Sequence, residues 1–167
     1  HVVRHLLHRG IRYPAELDHV RFPLGLVLDR ATIHEGHITE LDHAAGVATF
    51  EDGETLSYDV GVVTLGGEPE FYGLEGIAEY ATPLHRPADV EAIRTEFERV
   101  LDEGGRVVVG GGGLTGIQTA GELAALARER DASEEVEVTL LEQAGAVPPG
   151  FDDRFQEAVG SALAGAD

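Results

Sequence analysis

Gly111-Gly112-Gly113-Leu114-Thr115-Gly116 follows directly on the apolar run Val107-Val108-Val109 and opens a stretch with Ile117, Ala120, Ala124 and Ala127 at helical spacing. Nothing else in the chain restricts its fold as much, because glycines placed this way between a strand and a helix each do a separate job. Gly111 permits a tight turn out of the strand, Gly113 removes the Cβ that would keep the backbone away from a pyrophosphate, and Gly116 lets the helix settle close on the sheet. A diphosphate then rests at the positive end of the helix, on N–H groups that lack intrahelical partners, those of Leu114 and Thr115 among them. Val136–Leu141 supplies a second strand, ending at Glu142. Strand, turn, helix and strand in this order predict an α/β fold built on a Rossmann-like dinucleotide-binding βαβ unit.

Glu142 stands where a carboxylate accepts hydrogen bonds from the adenosine ribose hydroxyls and repels a 2′-phosphate. No Arg occurs in Gln143-Ala144-Gly145-Ala146 to receive such a phosphate, so NAD(H) is expected in preference to NADP(H).

The flanking segments read less sharply. Pro87 suits a first helical turn, and Val90, Ile93, Phe97, Val100 and Leu101 recur at helical spacing until Gly104-Gly105 closes the helix. The glycine turn opens a second helix, from Leu114 to about Arg130, and Asp152 or Asp153 starts a last short one carrying Phe151, Phe155 and Val159. Arg106–Val109 is apolar enough for a central parallel strand covered on both faces. Further upstream, Thr32–Ile38 and Val47–Phe50 alternate as strands of a hairpin, and Val60–Leu65 reads as a more buried strand, with Asp52-Gly53 as a turn signal. His1–Gly25 has no clear period, and Pro14 and Pro23 interrupt it, so a loop or short helix is expected there.

Charge and composition exclude several functions. Thirty-one Asp and Glu face twelve basic residues, all of them Arg, for a formal net charge of −19. No basic stripe exists to displace counterions from phosphates, so nucleic acid is not an expected partner. With no Cys, disulfides, thiolate metal sites and a redox-active cysteine pair are ruled out together. No apolar run approaches the roughly 18 residues of a membrane span, and no signal peptide is visible, which points to the cytoplasm. The eight His show no ligand spacing with an acid partner, and the odd spacing of His34 and His37 puts them on opposite faces of a strand. They are expected to be surface or packing residues, with no metal site.

Several segments in order carry a family resemblance. Tyr58–Gly67 is an apolar run ending in a small-residue turn, and Glu68-Pro69 and Phe71-Tyr72-Gly73-Leu74-Glu75-Gly76 follow it. Gly111–Gly116 continues as Ile117-Gln118-Thr119-Ala120-Gly121-Glu122-Leu123, and Pro148-Pro149-Gly150-Phe151-Asp152 lies beyond the second strand. In this the chain resembles the flavoproteins with two dinucleotide-binding domains, and among them the type II NADH:quinone oxidoreductases. The resemblance implies that Thr64, Gly66 and Gly67 pass near a flavin, that Gly111–Gly116 and Glu142 hold NADH, and that Gln118 lies near the nicotinamide, where members usually carry Glu. It also implies an FAD-dependent NADH dehydrogenase that transfers hydride from NADH to FAD and on to a quinone or other small acceptor.

On this reading residues 1–82 are a β-rich part of a flavin-binding domain without its glycine-rich turn, and residues 83–167 are part of an NAD(H)-binding domain. The chain is then a portion of a longer enzyme. Alone it is expected to be inactive, no residue in it being required as acid or base. Membrane attachment at the inner face would come only through parts outside the chain, and the resemblance admits a homodimer. Two neighbouring readings stay open, a ferredoxin or other acceptor reductase and a non-catalytic NAD-binding regulatory module. A methyltransferase shares a glycine-rich turn, but Glu122 within the helix and the segment Tyr58–Gly76 count against it.

An excess of nineteen acids pushes a folded chain apart until salt screens it, and the joint absence of Lys, Cys, Met and Trp fits a halophilic source. Molar salt shortens the Debye length to about 3 Å, so the melting temperature should climb steeply from low to molar salt. Thermal melts across a salt series check this, and a flat series would remove the salt-adaptation argument.

Overall fold

In the computed structural model, the apolar spacing from Val90 to Leu101 folds into a helix of 17 residues, Pro87–Glu103. Its Asp89 accepts from the N–H groups of His85 and Arg86 at 2.8 and 2.6 Å, which ties down the entry to its first turn. The structure describes residues 1–165; Ala166 and Asp167, the end of the expected second domain, lie outside the described residues. In chain order the elements are two short helices, α1 (Arg9–Arg12) and α2 (Glu16–His19), and three short strands, β1 (Ile38–Asp42), β2 (Val47–Phe50) and β3 (Thr55–Ser57). The single-turn α3 (Ile77–Tyr80) and then α4 (Pro87–Glu103), β4 (Gly105–Gly110), α5 (Leu114–Glu129), β5 (Val136–Leu141) and α6 (Asp153–Ala164) follow. Contacts divide the chain into two units, one of residues Pro23–Glu68 and one of His1–Phe22 with Pro69 onward.

The Pro23–Glu68 unit is an antiparallel sheet in the order β1-β2-β3. Asp42 Oδ1 accepts from the N–H groups of Ala44 and Ala45, both at 2.9 Å, and shapes the first turn. Asp52 Oδ1 accepts from Glu54 N–H at 3.0 Å, and Gly53 takes a φ of +86°, which closes the second turn. So tight a turn delivers the very next residues as the partner strand, Thr49 facing Thr55. The third strand is therefore Thr55–Ser57 and not Val60–Leu65. Val60–Leu65 belongs to neither sheet, and Val60 and Leu65 are 84% and 86% exposed. Thr32–Ile38 is likewise corrected: the strand begins only at Ile38, which pairs with Phe50.

In the other unit, one apolar cluster joins Leu7, Ile11, Leu17 and Val20 of the N-terminal segment to Val90 and Phe97 of α4 and to Leu123, Leu126 and Ala127 of α5. Buried apolar residues drive this packing, although His1–Phe22 has no sustained period. Two arginines secure it. Arg94 of α4 donates to the Ile11 carbonyl at 2.5 Å, and Arg12 of α1 donates through Nε to Glu129 of α5 at 3.0 Å, with Glu122 4.0 Å away. Burial pushes the Glu122 carboxyl up, against the pull of Arg12.

β4 and β5 pair in parallel from Gly105 opposite Val136 to Gly110 opposite Leu141, and α5 is the crossover between them. Val107, Val109, Val136 and Val138 pack into the core. The other face is open: Val108 and Leu141 are exposed, and Arg106 donates to Glu137 at 2.7 and 2.9 Å there. The expectation that β4 is covered on both faces is thus corrected, because one layer of helices reaches only the Val107 and Val109 side. α6 starts as its sequence predicts, Asp152 Oδ1 accepting from Phe155 N–H at 2.9 Å.

Phe97 is 1% exposed at the centre of this core. Phe97→Ala leaves a cavity that the surrounding helices refill only in part, so the chain should lose about 3–5 kcal/mol of stability. Urea unfolding at fixed high salt measures the loss.

Candidate dinucleotide site

The ladder of β4 and β5 runs one bond past the strands, Gly111 N–H donating to Leu141 O at 2.8 Å. Gly111 then turns with a φ of +103°, a conformation other residues rarely adopt. Gly113 is the N-cap of α5, and its carbonyl accepts the first helical bond, from Ile117 at 3.0 Å. The next N–H groups, of Leu114, Thr115 and Gly116, point out of the helix start by its geometry. A Cβ on Gly113 would meet nothing within 4 Å, so open space lies before the turn, as a diphosphate needs. A Cβ on Gly116 would instead fall onto the Gly111 carbonyl oxygen and come within 3.5 Å of Leu140 Cδ1. Behind them the buried Thr119 donates its hydroxyl to Thr115 O at 2.7 Å.

Glu142 leaves the end of β5 and reaches back to this turn. Its Oε2 accepts from Gly112 N–H and its Oε1 from Ala144 N–H, each at 2.7 Å. The backbone N–H groups of Ala144 and Gly112 hold its carboxyl below the usual glutamate range. Backbone amides thus favour the ionised form of this carboxylate and hold it beside the helix N-terminus.

Gly111, Gly113, Leu114, Thr115, Gly116 and Glu142 therefore converge at one end of the β4-β5 pair. Gln118 lies exposed on α5, a turn beyond the helix start. Thr64, Gly66 and Gly67 lie in the Pro23–Glu68 unit, on its exposed irregular run. Sequence reasoning gave no role to Gly112, whose N–H holds Glu142. The signal was a fourth consecutive glycine at a position where the motif accepts any residue.

The family model of pyridine nucleotide-disulphide oxidoreductases matches residues 10–166. Among curated proteins, the chain is 24% identical over 132 residues to the NADH dehydrogenase-like protein YutJ of Bacillus subtilis, covering 78% of this chain and 35% of that protein. It is also 24% identical over 166 residues to the type II NADH:quinone oxidoreductase of Staphylococcus saprophyticus, covering 89% of this chain and 41% of that protein. Among solved structures, the sulfide:quinone oxidoreductase of Aquifex aeolicus superposes with a TM-score of 0.85 at 17% identity, over 99% of this chain and 41% of that one. NDH2 of Plasmodium falciparum in complex with NADH does so with a TM-score of 0.74 at 16% identity, over 98% and 38%. The chain thus spans well under half the length of these relatives, and the structural likeness is one of Rossmann-like fold.

A depressed carboxylate pKa stabilises the fold above the unfolded value of about 4.3, and that contribution is lost as pH falls through the lower folded value. Glu142→Gln should be less stable than the parent chain at neutral pH, and the gap should close on acidification below that range. Denaturant unfolding over pH shows it; a gap of constant size would mean that the amides do not hold the carboxylate.

Proposed function

Because the chain belongs to the pyridine nucleotide-disulphide oxidoreductase family, we propose that its glycine turn and Glu142 form the NADH site of a flavin-dependent NADH dehydrogenase that delivers electrons to a quinone-type acceptor. The observation that carries this reading is the Glu142 carboxylate fixed by two backbone amides beside the start of α5. In this reading Gly111, Gly113 and Gly116 shape the turn, and the N–H groups of Leu114 and Thr115 receive the pyrophosphate at the helix N-terminus. Glu142 accepts from the adenosine ribose hydroxyls and repels a 2′-phosphate. Gln118 lies on the nicotinamide side, where its amide orients the ring without carrying charge.

Hydride transfer from nicotinamide to flavin supplies the redox chemistry in such enzymes, and the protein aligns the two rings and excludes water. Thr64, Gly66 and Gly67 are this chain's contribution to the flavin side of the longer protein. Their run is exposed and joins neither sheet, which supports the reading that other parts of the longer protein grip the FAD phosphates. No helix among the described residues is long and apolar enough to cross a membrane.

The chain should bind NADH more tightly than NADPH and should emerge colourless from a desalting column after incubation with FAD. Titration of both nucleotides in high salt, followed by the visible spectrum of the desalted chain, tests both halves. Equal or tighter NADPH binding would show that Glu142 does not read the ribose, and retained yellow flavin with steady NADH consumption would show that the flavin half-site suffices alone.

A further inference from the structure

Gly112 is buried, and its backbone does not adopt the left-handed conformation that by itself demands glycine. What it lacks is room. A Cβ built on it would stand 2.8 Å from Cβ, 3.0 Å from Cγ and 3.1 Å from Oε2 of Glu142. Carbons pack best at about 3.5–4.0 Å and a Cβ essentially never comes under 3.0 Å of another atom, so a side chain at 112 and Glu142 in its present place exclude each other. Rotation of the Glu142 side chain cannot relieve the conflict, because its own Cβ is the nearest atom. That Cβ is fixed by the ladder bond of Gly111 N–H to Leu141 O, one residue before it.

We propose that Gly112 is a positioning residue for nucleotide choice: the missing side chain seats Glu142 over the turn, and without that seat the carboxylate neither reads the ribose nor repels a 2′-phosphate. The inference rests on the NADH reading of this site. Gly112 supplies both the space and the N–H that receives Oε2 at 2.7 Å. A substituent here moves Glu142 off the turn and removes two effects at once, attraction for a free ribose and repulsion of a phosphorylated one. It therefore changes the ratio of the two affinities, whereas a turn that is merely damaged loses both together.

The test is a cycle of Gly112→Ala, Glu142→Gly and the double variant in the full chain, with NADH and NADPH titrated by their own fluorescence in high salt and thermal melts run on each. Gly112→Ala should weaken NADH about tenfold or more and leave NADPH unchanged or tighter, since a charge-assisted contact is lost for one nucleotide only. In the Glu142→Gly background the same alanine should leave the preference unaltered and should cost less in melting temperature, because the atom it strikes is gone. The melts decide even where Gly112→Ala folds too poorly to titrate: a double variant penalised as heavily as the single one overturns the proposal. Equal loss of both nucleotides in Gly112→Ala, or an unchanged preference, overturns it too. A parent chain with no NADH preference, or a Glu142→Gly variant that keeps it, defeats the NADH reading itself and this inference with it.

Discussion

The descent of α5 onto its own entry turn governs the nucleotide-facing end of the molecule. Gly116 lies so near the Gly111 carbonyl that hydrogen is the only substituent with room. The small residues that follow, Thr119 and Ala120, keep the helix low over β4 and β5. Only at that separation do the free N–H groups of the helix start stand level with the strand ends, where Glu142 emerges. A helix held even a methyl group further out would separate the positive end of its dipole from the carboxylate and from any diphosphate.

The rest of the unit supports that arrangement from behind. Leu123, Leu126 and Ala127 of α5 face Phe97 and Val90 of α4, and both helices close over Leu7, Ile11 and Val20. Arg12 and Arg94 fasten α1 to the two longer helices through a carboxylate and a carbonyl. Exposed ion pairs are worth about 0–1 kcal/mol each, so the apolar cluster provides the stability and the arginines choose among ways of packing it.

This division explains what could be read in advance. α4, β4, α5 and β5 were legible because Pro87, Gly104 and the glycine turn punctuate clear periods, and the N-cap of α6 was legible because Asp152 satisfies it locally. Most of the candidate site was legible for the same reason, its residues being adjacent in sequence apart from Glu142. Val60–Leu65 misled because apolar content makes a strand only where a partner strand is available, and the turn at Gly53 had already given β2 its neighbour. The N-terminal contribution to the core was hidden because Leu7, Ile11, Leu17 and Val20 meet helices far along the chain, around Val90–Phe97 and Leu123–Ala127, a contact that no local period records. Gly112 was hidden likewise, since its partner is thirty residues on.

The half-covered β4-β5 pair has a consequence beyond the single molecule. Among the described residues each strand pairs on one side only, and Val108 and Leu141 lie on the uncovered face. Such a ladder is a template: a strand from another copy can extend it with no rearrangement of what is already folded. At low ionic strength the nineteen excess negative charges on every copy keep these edges from meeting. Screening that relaxes repulsion within one molecule relaxes it between molecules as well, so added salt weakens this colloidal protection at the open edges.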